Sequence, residues 1–285
     1  MTEKIGLVLE GGAMRGMFTS GVLDVFMENG ITVDGMIGVS AGATFGCNFK
    51  SKQPGRAIRY NKKYAHDRRY CSFYSLFTTG NIYNADFCYN VLPNQLDLFD
   101  YETFKNNPME FYVVVVDAEK GTPLYKKLDN GREKEMMWIR ASASMPLVSK
   151  PVEIDGMKLL DGGLVDSIPL EYFESIGYSK NIVVLTQPRD FTKQLVKFFP
   201  FMKLKLRRYP KLVEAISLRH IRYNKQRDFI FSHEKEGKTF VICPEKPLGI
   251  SRTEKNIDEL ERVYQEGRRV AEKHLEEVRK FLDVR

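Results

Sequence analysis

The sequence predicts an α/β fold built around a mostly parallel sheet. Short apolar segments that resemble strands alternate with longer segments of helical periodicity, which is the pattern of α/β proteins. Residues 111–116 are apolar throughout, as expected of a parallel strand buried on both faces. The 285 residues include 43% hydrophobic and 28% charged side chains, a globular composition that excludes disorder, collagen and coiled-coil rods.

The predicted elements follow one another from the N-terminus. Ile5–Leu9 is a compact apolar strand, and residues 16–29 have apolar positions near helical spacing, with Gly30 at the C-terminal end. The residues after Ala41 are compatible with a helix as far as Gln53-Pro54. Further strands are predicted at residues 33–39, 111–116, 157–160, 181–186 and 239–243.

No repeat, low-complexity tract or Pro/Gly/Ser-rich linker divides the chain, so we expect one domain over residues 1–285. Residues 254–282 predict one long, charged, amphipathic helix, which places a helical extension over about 250–285. Residues 61–107 are rich in aromatic side chains but poor in periodicity, and we interpret them as an insertion or a covering layer.

Composition also limits the compartment and the partners. Four scattered cysteines without a C-x-x-C pair argue against a disulfide scaffold and a cysteine-rich zinc site. We see no signal-peptide pattern and no apolar run near the roughly 20 residues that span a bilayer, so we expect a cytoplasmic protein. The net charge of +7 permits an anionic partner without choosing between nucleic acid and a phospholipid surface.

A serine lies at a predicted junction of strand and helix, in the G-x-S-x-G motif Gly38-Val39-Ser40-Ala41-Gly42. The tight turn needs small neighbours and directs the serine hydroxyl out of the sheet, toward a substrate. The alternative is a glycine-rich turn in which Ser40 only caps the helix.

The segment Glu10-Gly11-Gly12-Ala13-Met14-Arg15-Gly16 follows the first predicted strand. Its glycines expose backbone N–H groups and a helix follows, so the loop suits a phosphate or the oxyanion of a tetrahedral intermediate. The spacing is not G-x-G-x-x-G and no Gly-Lys-Ser/Thr follows, which argues against a nucleotide loop. A plain strand–helix turn is the alternative.

The third motif, Asp161-Gly162-Gly163, also follows a predicted strand. A carboxylate in this setting can accept the proton of the Ser40 hydroxyl, as a general base without an intervening histidine. An ordinary Asp-Gly turn is the alternative.

These motifs, in this order, resemble the patatin-like phospholipase family, in which a G-G-x-R-G loop, a G-x-S-x-G serine and a D-G-G or D-G-A aspartate form the site. The segment Ala141-Ser142-Ala143-Ser144-Met145-Pro146 is similar to the family's A-S-x-A-x-P block. The segment Tyr264-Gln265-Glu266-Gly267-Arg268-Arg269 looks like the end of bacterial members. Glu10 stands where many members have Asp.

The resemblance implies a three-layer α/β/α fold and hydrolysis of phospholipid or lysophospholipid esters through an acyl-serine, with no metal or other cofactor. Ser40 would attack the carbonyl carbon, and Asp161 would take the serine proton and return it to the leaving alcohol. Backbone N–H groups around Gly11, Gly12 and Ala13 would form the oxyanion hole. Arg15 would orient that loop or attract a lipid phosphate.

A Ser-His-Asp triad is the alternative, because G-x-S-x-G also marks α/β-hydrolases. None of the four histidines (His66, His220, His233 and His274) lies in a distinctive motif. The serine also comes after only one or two predicted strands, whereas an α/β-hydrolase has several strands before it. The Ser–Asp dyad is therefore the preferred hypothesis.

Residues 193–208 interleave apolar and aromatic residues with cations, as a segment at an anionic membrane surface does. The cations assigned to this peripheral contact are Lys197, Lys203, Lys205, Arg207 and Arg208. A partly buried helix with a solvated basic side is the alternative. No nucleic-acid motif is present, so we expect no nucleic-acid partner. Two other functions stay open: a lipid-binding protein with a silent site, and an acyltransferase that uses the same serine.

Overall fold

An eight-stranded sheet forms the centre of the molecule, in a computed structural model that describes residues 3–132, 134–196 and 199–283. The strands are β1 (Ile5–Leu9), β2 (Gly35–Val39), β3 (Glu110–Asp117), β4 (Thr122–Leu128), β5 (Val152–Ile154), β6 (Met157–Asp161), β7 (Lys180–Val184) and β8 (Thr239–Ile242). Their order is β5-β6-β3-β2-β1-β7-β8, and β4 pairs with β3. The neighbours among β3, β2, β1, β7 and β8 are parallel, whereas β4, β5 and β6 enter antiparallel pairs.

Helices connect and cover these strands. They are α1 (Gly16–Glu28), α2 (Ala41–Lys50), α3 (Arg56–Tyr64), α4 (Phe73–Thr79), α5 (Tyr101–Asn106), α6 (Lys134–Ser142), α7 (Leu170–Ser175), α8 (Phe199–Lys205), α9 (Pro210–Ser217), α10 (Arg219–Lys235), α11 (Ile257–Lys273) and α12 (Leu275–Asp283). A π-helix spans Phe87–Leu96, and two short 3₁₀ turns span Ala13–Arg15 and Gly162–Leu164.

The two faces of the sheet are buried under different helices, because successive side chains of a strand point to opposite faces. Leu7 and Leu9 of β1 join one core cluster with α1 and α11. Val8, between them, joins a second cluster with α7 and α10. The layers confirm the predicted three-layer α/β/α fold and its mostly parallel sheet. No helix in the described part of the chain has the length and apolar character needed to cross a bilayer.

The predicted long C-terminal helix is wrong in one respect, because the chain forms two helices. α11 ends before His274, whose backbone leaves helical geometry at φ −101° and ψ 8°, and α12 begins at the next residue. The break lets α12 lean on the sheet edge: Phe281 packs on Phe240 of β8, with ring centroids 5.7 Å apart. Local periodicity could not reveal it, because the apolar spacing continues through the break.

The aromatic segment forms a covering layer, as one of the two predicted interpretations has it. It contains α4, the π-helix and α5, and a bridge between Cys71 and Tyr83 joins the two ends of the segment that carries α4. Its rings meet edge to face, as in Tyr64 with Phe87 and Tyr70 with Tyr83, at centroid distances of 5.4 and 5.7 Å. Interlocking rings, and not an amphipathic period, hold this layer in place, which explains its weak periodicity.

Candidate active site

The predicted serine and aspartate meet because two strands end head to head. β4 pairs along β3 from Phe111 to Asp117, so β2 and β6 must share the opposite edge of β3. There β2 stops where Val39 pairs with Val114, and β6 arrives from the other direction with Asp161 paired to Val115. Ser40 and Asp161 are thus the residues at which the two strand ends face each other.

Ser40 sits on a strained turn held by a second serine. Its φ of 55° and ψ of −121° place it in a region that costs a non-glycine residue roughly 1–3 kcal/mol. The Ser40 N–H donates to the Ser142 Oγ at 2.9 Å, and that hydroxyl donates to the Val114 carbonyl at 2.7 Å. Ser142 therefore bridges the gap in the sheet where β2 ends, and it fixes the turn against β3.

Asp161 is a buried carboxyl with an altered affinity for protons. Burial raises its pKa to about 6, and hydrogen bonding to the Ser40 hydroxyl partly offsets this shift. The Gly163 N–H donates to its Oδ1 at 2.8 Å, which fixes the carboxyl in the turn after β6. Its own N–H donates to the Ser144 carbonyl at 3.0 Å. The A-S-x-A-x-P-like segment therefore supports both Ser40 and Asp161.

The glycine loop lies directly against the serine. A Cβ added to Gly11 would stand 2.8 Å from the Ser40 Cβ, and one added to Gly12 would stand 2.7 Å from the Thr186 Oγ1. Only glycine allows this approach. In the described part of the chain, the N–H groups of Gly11, Gly12 and Ala13 donate to no protein acceptor. They are free to bind an oxyanion beside Ser40.

Glu10 anchors this loop through hydrogen bonds to its carboxylate. Its carboxylate accepts hydrogen bonds from the Thr186 N–H at 2.6 Å and from the Tyr223 hydroxyl at 2.6 Å. Thr186 follows β7, and Tyr223 lies on α10, so Glu10 ties the loop to the neighbouring strand and to the covering helix. Arg15, in the adjacent 3₁₀ turn, has a buried Nε without a hydrogen-bond partner.

Ser40 opens into a largely apolar cavity of about 510 Å³, a size typical of sites for small ligands. One wall is the helix that follows the serine, where Thr44 and Cys47 line the cavity. Another part of the lining comes from the aromatic layer and includes Tyr70, Phe73, Tyr83 and Tyr89. The cavity therefore offers an elongated apolar ligand a place beside the serine hydroxyl.

Cys47 and the histidines are the other side chains to consider for nucleophilic or general-base chemistry. Cys47 is buried, its pKa is raised to about 12 by burial, and it donates to the Thr44 carbonyl, as a structural thiol does. Trp138 is buried in the core and does not line the cavity. None of the four histidines, all within the described residues, lines the cavity, so the geometry does not favour a Ser-His-Asp triad.

The basic segment is divided between buried and exposed positions. Met202 and Leu206 are buried, whereas Lys203, Lys205, Arg207 and Arg208 are exposed. Lys197 lies outside the described residues. No cluster of His, Cys, Asp and Glu suited to a metal ion occurs in the part of the chain that the structure describes.

One basic contact of the site escaped sequence reasoning. Arg219, the first residue of α10, donates through Nε to the Gly163 carbonyl at 2.5 Å and lines the cavity beside Ser40. Arg252 lines the same cavity. Neither residue belongs to a motif, and no local pattern places them near Asp161. In the sequence, Ser142 was recognisable only as a member of the segment 141–146, and its contact with Ser40 was not.

The chain is similar to two family models and to several known proteins. The Patatin-like phospholipase family model matches residues 7–174, and a Domain of unknown function (DUF6363) matches residues 209–283. The uncharacterized protein YjjU of Escherichia coli (strain K12) is 29% identical over 98% of this chain and 79% of its own length. Among solved structures, VipD from Legionella pneumophila is 14% identical with a TM-score of 0.43, over 95% of this chain and 67% of that one.

Proteins named lysophospholipase are also similar. Lysophospholipase nte1 of Aspergillus fumigatus is 27% identical over 61% of this chain, and the match spans only 11% of that protein. The Patatin-like phospholipase match covers well over half of the present chain and includes all three motifs. This match also confirms the predicted enzyme class, a hydrolase of the esterase or phospholipase kind. The chain belongs to the patatin-like phospholipase family.

Proposed function

We propose that this protein hydrolyses a carboxylic ester of a phospholipid or lysophospholipid through a Ser40–Asp161 dyad. The observation that carries the proposal is the head-to-head meeting of β2 and β6 on one edge of β3. This meeting brings a serine hydroxyl and a buried carboxyl together, beside free N–H groups and at an apolar cavity. The lysophospholipase relatives favour the same substrate class.

In the acylation step, the Ser40 Oγ attacks the ester carbonyl carbon while Asp161 accepts the hydroxyl proton. The negative charge that develops on the carbonyl oxygen is stabilised by the N–H groups of Gly11, Gly12 and Ala13, where losing one donor costs about a hundredfold or more in rate. The ester C–O bond then breaks, and Asp161 returns the proton to the leaving alcohol.

In the deacylation step, water attacks the acyl-serine and Asp161 accepts one of its protons. The tetrahedral intermediate collapses with release of the fatty acid, and the proton returns to the Ser40 oxygen. The raised pKa of Asp161 suits this exchange, because a general base works best when its pKa is near the working pH.

The deciding experiment is fatty-acid release from mixed phospholipid vesicles without added calcium, comparing the native protein with Ser40→Ala. We expect release by the native protein and its loss in the variant. No release by either protein, with a short soluble ester also untouched, would contradict the hydrolase. The silent lipid-binding protein and the acyltransferase would then become the better hypotheses.

We further propose that the rim of the cavity contacts an anionic membrane. Phe73 of α4 lines the cavity and is 72% exposed, so the cavity opens beside this helix, and Phe77 of the same helix is 86% exposed. Met202 of α8 also lines the cavity, and Leu204 of that helix is 61% exposed. Exposed apolar residues next to cations are the combination that binds an anionic bilayer surface.

A further inference from the structure

The helix α10 contacts two parts of the site from the C-terminal region of the chain. This helix lies within residues 209–283, the region matched by the family model of unknown function. The three motifs of the site all lie within residues 7–174, the region of the patatin-like match. Each contact between α10 and a motif therefore joins the two regions close to the reacting groups.

The first contact holds the turn that carries the proposed base. Arg219, the first residue of α10, donates through Nε to the Gly163 carbonyl at 2.5 Å. The Gly163 N–H in turn donates to the Asp161 Oδ1 at 2.8 Å. Gly163 is thus bonded to α10 on one side and to the base on the other, so a displacement of α10 would be passed to Asp161.

The second contact holds the glycine loop. The Tyr223 hydroxyl donates to the Glu10 Oε1 at 2.6 Å, and Glu10 immediately precedes Gly11 and Gly12. Both Tyr223 and Glu10 are buried, so losing this hydrogen bond would deprive a buried carboxylate oxygen of its donor. The position of the glycine N–H groups therefore depends on a residue of α10.

The two contacts come from the same face of α10, because residues four positions apart lie one above the other on a helix. Arg227 continues this face by four more positions. It is buried, and it donates to the Pro188 carbonyl at 2.6 Å, in the segment after β7. A helix held at these three points keeps the base turn and the glycine loop at a fixed separation.

The same region also affects the charge state of the base. Burial raises the pKa of Asp161, and its hydrogen bonds to Ser40 and Gly163 together with the positive charge of Arg219 partly offset this shift. Arg252, from the loop between β8 and α11, acts in the same direction as Arg219. The C-terminal region therefore favours the ionised carboxylate that accepts the serine proton.

We propose that α10 is a positioning element of the active site, and that the C-terminal region thereby has a role in catalysis. Tyr223 positions the oxyanion hole through Glu10. Arg219 positions the base turn through Gly163. The inference rests on the proposed function, because it assigns both residues to the reaction of Ser40.

Tyr223→Phe tests the first role, with Tyr264→Phe as the matched control. Each variant removes a hydroxyl that donates to a buried carboxylate, at 2.6 Å to Glu10 and at 2.8 Å to Asp24 respectively. On a soluble short ester, Tyr223→Phe should lower kcat at least about tenfold with little change in KM, because an oxyanion donor acts mainly in the transition state. Tyr264→Phe should keep the native kcat. An equal fall in both variants, or in neither, would overturn the role of Tyr223.

Arg219→Gln tests the second role. The acid limb of its kcat/KM profile should move to higher pH by at least about half a unit, since losing a neighbouring positive charge disfavours the carboxylate. Arg222→Gln removes the same charge from α10 at a position outside the cavity lining, and its acid limb should stay at the native pH. An unmoved limb in Arg219→Gln, or an equal shift in both variants, would overturn the role of Arg219.

A measurement without turnover separates this inference from the hydrolase proposal. In NMR spectra of protein with isotope-labelled glycine, Tyr223→Phe should shift the amide signals of Gly11 and Gly12. Arg219→Gln should shift that of Gly163, and the signals of glycines remote from α10 serve as the control in each protein. Native signals at these three glycines would overturn the positioning role even if the protein hydrolyses esters. Shifted signals in a protein that hydrolyses no ester would support the positioning role and contradict only the hydrolase.

Discussion

Asp161 is the residue on which the proposed chemistry depends most directly. Its carboxyl must be ionised to accept the Ser40 proton, and burial raises its pKa from the ordinary 3.8 to about 6. On a soluble short-chain ester, kcat/KM should therefore be constant above about pH 7 and fall about tenfold per pH unit below pH 6. A profile that stays flat down to pH 4.5 would contradict the assignment of Asp161 as the base.

Asp161→Asn should remove the general base while keeping the shape of the side chain. We expect turnover of the same ester to fall at least about a hundredfold, the usual range for losing a general base. Asp190→Asn, at an exposed position outside the cavity lining, is the control and should keep native turnover. Native rates in Asp161→Asn, measured with folded protein, would exclude the dyad.

The same substitution should stabilise the fold at neutral pH. The folded chain keeps the Asp161 proton up to about pH 6, whereas the unfolded chain releases it near 3.8. Stability therefore falls as pH rises through this window, by about 3 kcal/mol in total. In urea unfolding, the Asp161→Asn variant should have a higher free energy of unfolding than the native protein at pH 7.5. The difference should be smaller at pH 4.5. Lower stability of the variant at pH 7.5 would show that the ionised form is favoured by the fold.

At the scale of elements, α4 borders the cavity with exposed apolar residues, whereas α8 and the residues after it combine exposed apolar residues with cations. Replacing Lys203, Lys205, Arg207 and Arg208 by Gln should weaken binding to anionic vesicles at least about tenfold, since each cation near such a surface contributes about 1 kcal/mol. Phe77→Ser should weaken binding to the same vesicles through lost apolar burial. Turnover of a soluble short ester should stay near native in both variants.

Vesicle sedimentation checks this prediction, with Ile257→Ser as the matched control. Ile257 is an exposed apolar residue at the start of α11 and does not line the cavity. Equal loss of vesicle binding in the control would mean that any exposed apolar residue contributes. Equal loss on the vesicle and soluble substrates in the charge variant would instead indicate a role in folding.

At the scale of the whole molecule, α11 is part of the main core. It crosses α1 so closely that a Cβ on Gly267 would stand 2.0 Å from the Phe18 carbonyl oxygen, and one on Gly21 would stand 2.1 Å from that of Tyr264. The Tyr264 hydroxyl donates to the buried Asp24 of α1 at 2.8 Å. We therefore propose that residues matched by the two family models unfold as one unit.

Gly267→Ala tests this proposal. Alanine favours an exposed helix by about 1 kcal/mol over glycine, but here its methyl group would force two helices apart at a cost of about 1–3 kcal/mol or more. We expect a lower Tm and a single calorimetric transition for both proteins, whereas Gln265→Ala, exposed on the same helix, should change the Tm little. Two separate transitions, with only one shifted by Gly267→Ala, would show that the C-terminal helices are an independent unit.

The parts of this protein that local chemistry controls were predictable from the sequence. An apolar strand that ends in a glycine loop, and a serine between small residues, each limit the backbone within a few positions. β1, β3 and the Ser40 turn therefore follow from their own residues. The division of residues 254–282 at His274 was not predictable, because the apolar spacing continues across the break. Packing on Phe240 favours the break.

The sequence by itself determined the family, the α/β class and the three motifs of the site. Only the tertiary structure decided how they meet. The head-to-head arrangement of β2 and β6 depends on their registers with β3, and the bridging by Ser142 depends on a residue 102 positions after Ser40. Arg219 and Arg252, which line the cavity with Ser40, likewise come from separate segments. No local pattern encodes such contacts, because they form only when the whole sheet and its covering helices pack together.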